Sequence, residues 1–210
     1  DNLIFDRRIG PSIGYALLRV NDGKLRNQGL EFDFTGHLLK TDKAYIDLNI
    51  NGETFSNKIK TMPVDPSTGL PKVIDVQGNY GWAEGHSIYD FYMRNFEGVD
   101  PTDGKSRWTV YYTDNNGNGA YDSAERIGSL ATFENPDGKA IAKSTTATYA
   151  HATQHYVNKS GVPKVRGAFN LRAGYANFDL AVQMIYSLGG YAYDGAYASL
   201  MHSGYVGSNN

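Results

Sequence analysis

The stretch DNNGNGAYDSAE, Asp114 to Glu125, sets oxygen-bearing residues at the intervals of a calcium loop. Asp114, Asn116 and Asn118 hold positions 1, 3 and 5, Asp122 position 9 and Glu125 position 12, while Gly119 at position 6 permits the sharp turn. The Ala120 carbonyl would add a further ligand, and Asp122 would act directly or through water. Three carboxylates predict a modest, extracellular affinity and a cation that stiffens a loop. The lead-in SRWTVYYT reads as a strand, so the paired helices that give an EF-hand its switch are not expected. The same letters also describe a hydrophilic loop that turns at Asn116-Gly117 and Asn118-Gly119.

Other candidate chemistry is thinner. HATQH places His151 and His155 four residues apart, the spacing of a helical zinc pair. The surrounding TTATYAHATQHYV is β-like, and on a strand the two rings would stand about 13 Å apart. His37, His86 and His202 are isolated in sequence. No G-x-S-x-G elbow and no phosphate-cradling glycine motif is present, so no enzyme is predicted. Four aromatic residues, Trp82, Tyr89, Tyr92 and Trp108, are the candidates for substrate contact; exposed rings there would stack on sugars or peptide side chains, and buried ones would pack loops together.

The elements that must carry these residues are strands. GLEFDFTGHL alternates Leu30, Phe32 and Phe34 with Glu31, Asp33 and Thr35. After the turn Lys40-Thr41-Asp42-Lys43, AYIDLNIN sets Ala44, Ile46, Leu48 and Ile50 against Tyr45, Asp47, Asn49 and Asn51, which predicts an antiparallel hairpin. RGAFNLRAGY and FDLAVQMIYSL, joined at Ala176-Asn177, predict a second hairpin. Between these pairs lie long Gly-, Asn-, Asp- and Pro-rich stretches, about residues 56–85, 97–106 and 113–162, read as loops. Short turns at one end and long loops at the other are the asymmetry of an outer-membrane barrel. Glu31, Asp33, Asp47, Asn49, Asn51, Arg172, Asp179 and Gln183 would face its interior, and Tyr15, Tyr175, Tyr186, Tyr191 and Tyr193 fall where an aromatic girdle would sit. A soluble antiparallel sheet with one wet face accounts for the same alternation.

Composition narrows the classes. The net charge of −2 gives no case for nucleic acid. The absence of cysteine excludes disulfides and thiol catalysis. Sixteen tyrosines and 24 glycines suit many strands with tight turns. No apolar run is long enough for a membrane helix, which leaves barrel strands open.

Five stretches, in order, resemble the SusC/RagA-like TonB-dependent outer-membrane transporters. NQGLEFDF (Asn27 to Phe34) resembles the family's N-x-G-x-E strand, and AYIDLNINGETFSNKI the next one, ending in Asn57, Lys58 and Ile59. EGHSIYDFYMRNFEGVDPTDGK is similar to its G-x-s-i-y-x-f … G-V-D-p-x-t-G segment, through Gly85, Gly98, Val99, Asp100, Pro101 and Gly104. DNNGNGAYDSAERIG follows as the acidic loop, with asparagine at 118 and glutamate at 125 where the family has aspartate. GVPKVRGAFNLRAGYANFDLAVQMIYSLGGYAYD is similar to the strand pair after it.

The resemblance implies an all-β fold: an antiparallel transmembrane β-barrel segment with short periplasmic turns and long extracellular loops. About six strands are expected here, of the roughly 22 in a plugged transporter. Residues 1–210 are read as part of one incomplete barrel domain, lacking the plug, the TonB box and the final strands. It also implies import of oligosaccharides or peptides across the bacterial outer membrane, beneath a SusD-like surface lipoprotein, surrounded by outer-membrane lipid and driven by the TonB complex acting on the plug. No organic cofactor is expected. The alternative is a soluble, calcium-stabilised, carbohydrate-binding β-sandwich module.

Overall fold

The computed structural model describes residues 2–8, 14 and 17–200; Tyr15 and His202 lie outside the described residues. Three strands come first: β1 (Asn2–Arg8), β2 (Leu17–Lys40) and β3 (Ala44–Thr61). Shorter ones follow: β4 (Asp75–Gln77), β5 (Tyr80–Trp82), β6 (Asp90–Arg94), β7 (Phe96–Val99), β8 (Ser106–Thr113), β9 (Arg126–Ile127), β10 (Ile141–Thr146) and β11 (Gln154–Ser160). A long pair, β12 (Val165–Tyr175) and β13 (Phe178–Leu188), precedes a short helix, α1 (Gly195–Leu200). The sheets run β1-β2-β3-β12-β13, then β10-β8-β7 with β9 on β8, then β11-β6-β5-β4. The fold is all-β and antiparallel, as the alternation predicts.

The chain divides into two units, one of residues 1–30 and 55–159, the other of residues 31–54 and 160–210. Within the second unit, β12 pairs with β13 on one side and with β3 on the other. The register lines up Leu48, Leu171 and Val182 in one row and Ile50, Phe169 and Met184 in another. One residue along, on the opposite face, the rows are Asp47, Arg172 and Ala181, and Asn49, Asn170 and Gln183. Side chains alternate faces along a strand, so this register separates an apolar face from a polar one. The apolar face is bare: Phe178 is 81% exposed and Leu180 57%. Polar neighbours on the other face are tied together, Asn49 Nδ2 donating to Asp33 Oδ1 at 2.7 Å and Asn170 Nδ2 to Asn49 Oδ1 at 3.0 Å.

Both predicted hairpins form. Thr41 N donates to Ala44 O at 2.8 Å to close the first turn, and Ala176 takes a positive φ of 51° in the second. Beside the apolar face, Gly52 and Gly167 leave room for the Tyr186 hydroxyl, which donates to Asn51 O at 2.9 Å. A Cβ on Gly167 would stand 2.1 Å from Asn51 O and 2.6 Å from that hydroxyl.

In the first unit the stretches 56–85 and 113–162, read from sequence as loops, hold strands of their own. β3 continues to Thr61, and β4, β5, β9, β10 and β11 lie within them. Strands this short, broken by turns, produce no alternating run long enough to read. Phe5, Ile59 and Met62 form one buried cluster, with Leu3, Leu25, Trp82 and Ile88 packed on it, and Phe91, Tyr92, Val110, Tyr112 and Ile127 are buried as well.

Candidate functional site

Asn57 is the post on which the first unit is hung. Only 5% exposed, it accepts from Ser87 Oγ at 2.9 Å and Ile88 N at 3.0 Å through Oδ1, and donates from Nδ2 to Asn27 Oδ1 at 2.6 Å. Three motif stretches thus meet at one side chain. Backbone bonds continue the seam, Ile59 N to His86 O at 2.8 Å and Gly85 N to Ile59 O at 2.9 Å, and Glu84 Oε1 accepts from Met62 N at 3.1 Å.

Docked this way, the segment after β5 helps line a cleft of about 740 Å³, together with residues 71–73, 130–131 and 155–158. Thr153, fully buried, stitches down the chain just before β11. Its Oγ1 donates to Ile127 O at 2.6 Å and accepts from Tyr111 N at 2.8 Å, while its N donates to Thr109 O at 3.0 Å. Lys72, Glu84, His86, Asn95, His155 and Tyr156 give the cleft both charge signs, amide groups and rings. His86 Nδ1 lies 3.2 Å from Asp90 Oδ2, and the Tyr156 ring covers one face of the imidazole at 3.6 Å, parallel to it. The Tyr156 hydroxyl donates to Gly81 O at 3.1 Å; burial, with Asp90 and Tyr92 adding, pushes its pKa well above the usual tyrosine value and keeps it a donor. Mixed polarity around a few fixed rings suits binding of a polar chain with apolar side groups.

The four aromatic candidates do not converge. Tyr92 borders the cleft but is only 1% exposed, its hydroxyl on Ser129 Oγ at 2.7 Å. Trp82 donates to Ile88 O at 3.1 Å and packs edge-on against Phe5. Trp108 lies between the Phe96 and Tyr149 rings, and Tyr89, 44% exposed, meets Tyr80 edge-on. Sequence reasoning passed over His86, Tyr111 and Tyr156; the signal was their closeness to the G-x-s-i-y motif or to β8 and β11, which spacing alone does not weight. In HATQH, His151 closes a 3-10 turn and His155 sits in β11, so the two are not on one helix.

The loop 114–125 is wound about its own acids. Asp114 accepts from Gly117 N at 2.7 Å, Asn118 N at 3.1 Å and Gly119 N at 2.9 Å. Asn116 Nδ2 and Asn118 Nδ2 both donate to Asp122 Oδ2, at 2.7 and 2.9 Å. Glu125 Oε1 accepts from Asn115 N and Asn116 N at 2.8 and 3.0 Å. Among the described residues, no three His, Cys, Asp or Glu side chains gather into a metal-holding group. A shell here would need asparagine and backbone oxygens as well.

No protein-family model matches the chain, and no curated protein matches it. Solved structures do. A chain in the structure of the RagAB peptide transporter matches 89% of this chain with a TM-score of 0.60 at 22% identity. Structures of the RagAB peptide importer in its 'closed-closed' and 'open-open' states each match 90% with a TM-score of 0.64 at 20% identity. The fold is that of part of a RagAB transporter chain. The chain spans 17 to 18% of the length of those RagAB chains. Several of the SusC/RagA-like motifs read here as structural devices. Asn27 and Asn57 join strands, and Asp100 closes its turn on Thr102 N at 2.8 Å while Arg107 bridges it to Asp103.

Proposed function

We propose that this chain is part of the barrel wall and loop region of an outer-membrane importer. The register that separates a bare apolar face from a polar one carries this reading, because such a sheet suits lipid on one side and an aqueous lumen on the other. β12 and β13, at 11 residues each, have the length of a tilted membrane crossing. Importers with this fold carry peptides in the RagAB case, and peptides are the first substrate class for this chain, oligosaccharides the second. A cleft holding both charge signs and hydrogen-bonding amides fits a peptide, whose backbone and side chains need donors and acceptors together.

The first unit would face outside the cell, where a SusD-like lipoprotein closes over it. Release would follow when the TonB complex acts on a plug elsewhere in the protein. The residues of this chain bind; they break no bond. The test is fractionation and uptake in the native cell. The protein should appear in the outer membrane, co-purify with a lipoprotein, and be required for growth on peptides as the nitrogen source. Recovery in the soluble fraction without detergent would overturn the reading and favour the β-sandwich module.

A further inference from the structure

Two buried side-chain polar atoms lack a hydrogen-bond partner among the described residues, Glu125 Oε2 and Tyr121 Oη, and both belong to the loop 114–125. Glu125 is 8% exposed, and its other oxygen is held against the backbone at Asn115 and Asn116. A carboxylate oxygen out of reach of both water and a donor carries a large desolvation cost unless a cation stands beside it. Position 12 of this loop is where a calcium loop supplies both oxygens of one acid.

We infer that residues 114–125 bind one calcium ion, with Asp114, Asn116, Asn118, the Ala120 carbonyl, Asp122 and Glu125 as the donor set. The contacts of Asp122 Oδ2 fit this shell. Oxygens adjacent in a calcium shell with Ca–O of 2.3–2.6 Å lie about 2.8–3.4 Å apart, and the Asn116 and Asn118 amides already stand 2.7 and 2.9 Å from that oxygen. Turning either amide over presents its Oδ1, exchanging the turn bonds to Asn118 N and Ala120 N for metal ligation. Two cationic side chains touch the loop at positions that are not donors, Lys139 on Asn115 Oδ1 and Arg126 on Ser123 O.

The experiment is equilibrium dialysis of the intact, detergent-purified protein against calcium chloride after chelator treatment, with magnesium chloride as the competitor. The expected result is one site with Kd of about 10⁻⁴–10⁻³ M, not displaced by equimolar magnesium. Glu125→Gln should weaken binding at least tenfold, and Asn118→Asp, which adds a carboxylate at position 5, should tighten it by about as much. If Glu125→Gln fails to fold, Asn118→Asp decides alone. No saturable site below 10 mM, on the order of ten times the weakest affinity expected of such a loop, or equal binding by all folded forms, overturns the assignment.

Discussion

An arginine at position 184 and one at position 183 should have opposite fates, although the two residues are neighbours. Met184 stands in the apolar row with Phe169 and Ile50, and Gln183 in the polar row with Asn170 and Asn49. β13 runs from Phe178 to Leu188, so both positions lie at its middle. At about 3.3 Å per residue and a tilt near 45°, 11 residues rise about 26 Å, close to the height of a barrel's apolar band. In the barrel wall we propose, Met184→Arg would set a guanidinium near the bilayer midplane, where the cost is about 2–4 kcal/mol, or roughly 30- to 900-fold in the folding equilibrium. Gln183→Arg places the same group toward water at a cost near zero. The assay is urea titration of the full-length protein refolded into lipid vesicles, read by the gel shift between folded and heat-denatured barrel. Equal losses for the two variants, or a larger loss for Gln183→Arg, would refute the division of faces.

Asn57→Ala should leave the Ile88 N–H and the Ser87 hydroxyl unsatisfied at a buried position, costing about 1–3 kcal/mol per group and opening residues 84–88 to protease at native temperature. Gly167→Val should lower the yield of folded barrel, since its Cβ meets the Asn51 carbonyl, whereas Gly128→Ala, with open space around its Cβ, should not. Acid should loosen the first unit. The Thr109 hydroxyl, Lys143 and Asn95 hold the Glu97 carboxyl at about 2, so its contribution is present above the ordinary carboxylate value and is lost as pH falls from about 4.5 toward 2. Thr109→Val should raise the Glu97 pKa and shrink the protease-measured loss over that window.

The hairpins were legible because period-two alternation survives in long strands whose two faces differ in polarity. β2, β3, β12 and β13 show it plainly, and the turn chemistry at 40–43 and 176–177 fixes the partners. The neighbour relation of β3 and β12 was not legible, since no local signal links strands so far apart in sequence. Most of the two small sheets was missed for the opposite reason, although SRWTVYYT reads as a strand and forms β8. β5 and β9 have three and two residues, too few for any period, and are held by buried polar groups such as Thr153. The aromatic candidates show the limit of reading residue type alone. A ring such as Tyr92 enters the interior or a binding wall according to what its neighbours cover, and only the packed structure settles which.

β3 and β12 are hydrogen-bonded neighbours, yet everything from Met62 to Lys164 is threaded out between them. In chain order the first unit's small sheets are an insertion between two paired strands. Closing a loop of roughly a hundred residues costs only about 0.6 kcal/mol more each time its length doubles. The insertion can therefore lengthen or shorten at little cost in loop closure while the β3–β12 pair keeps its register.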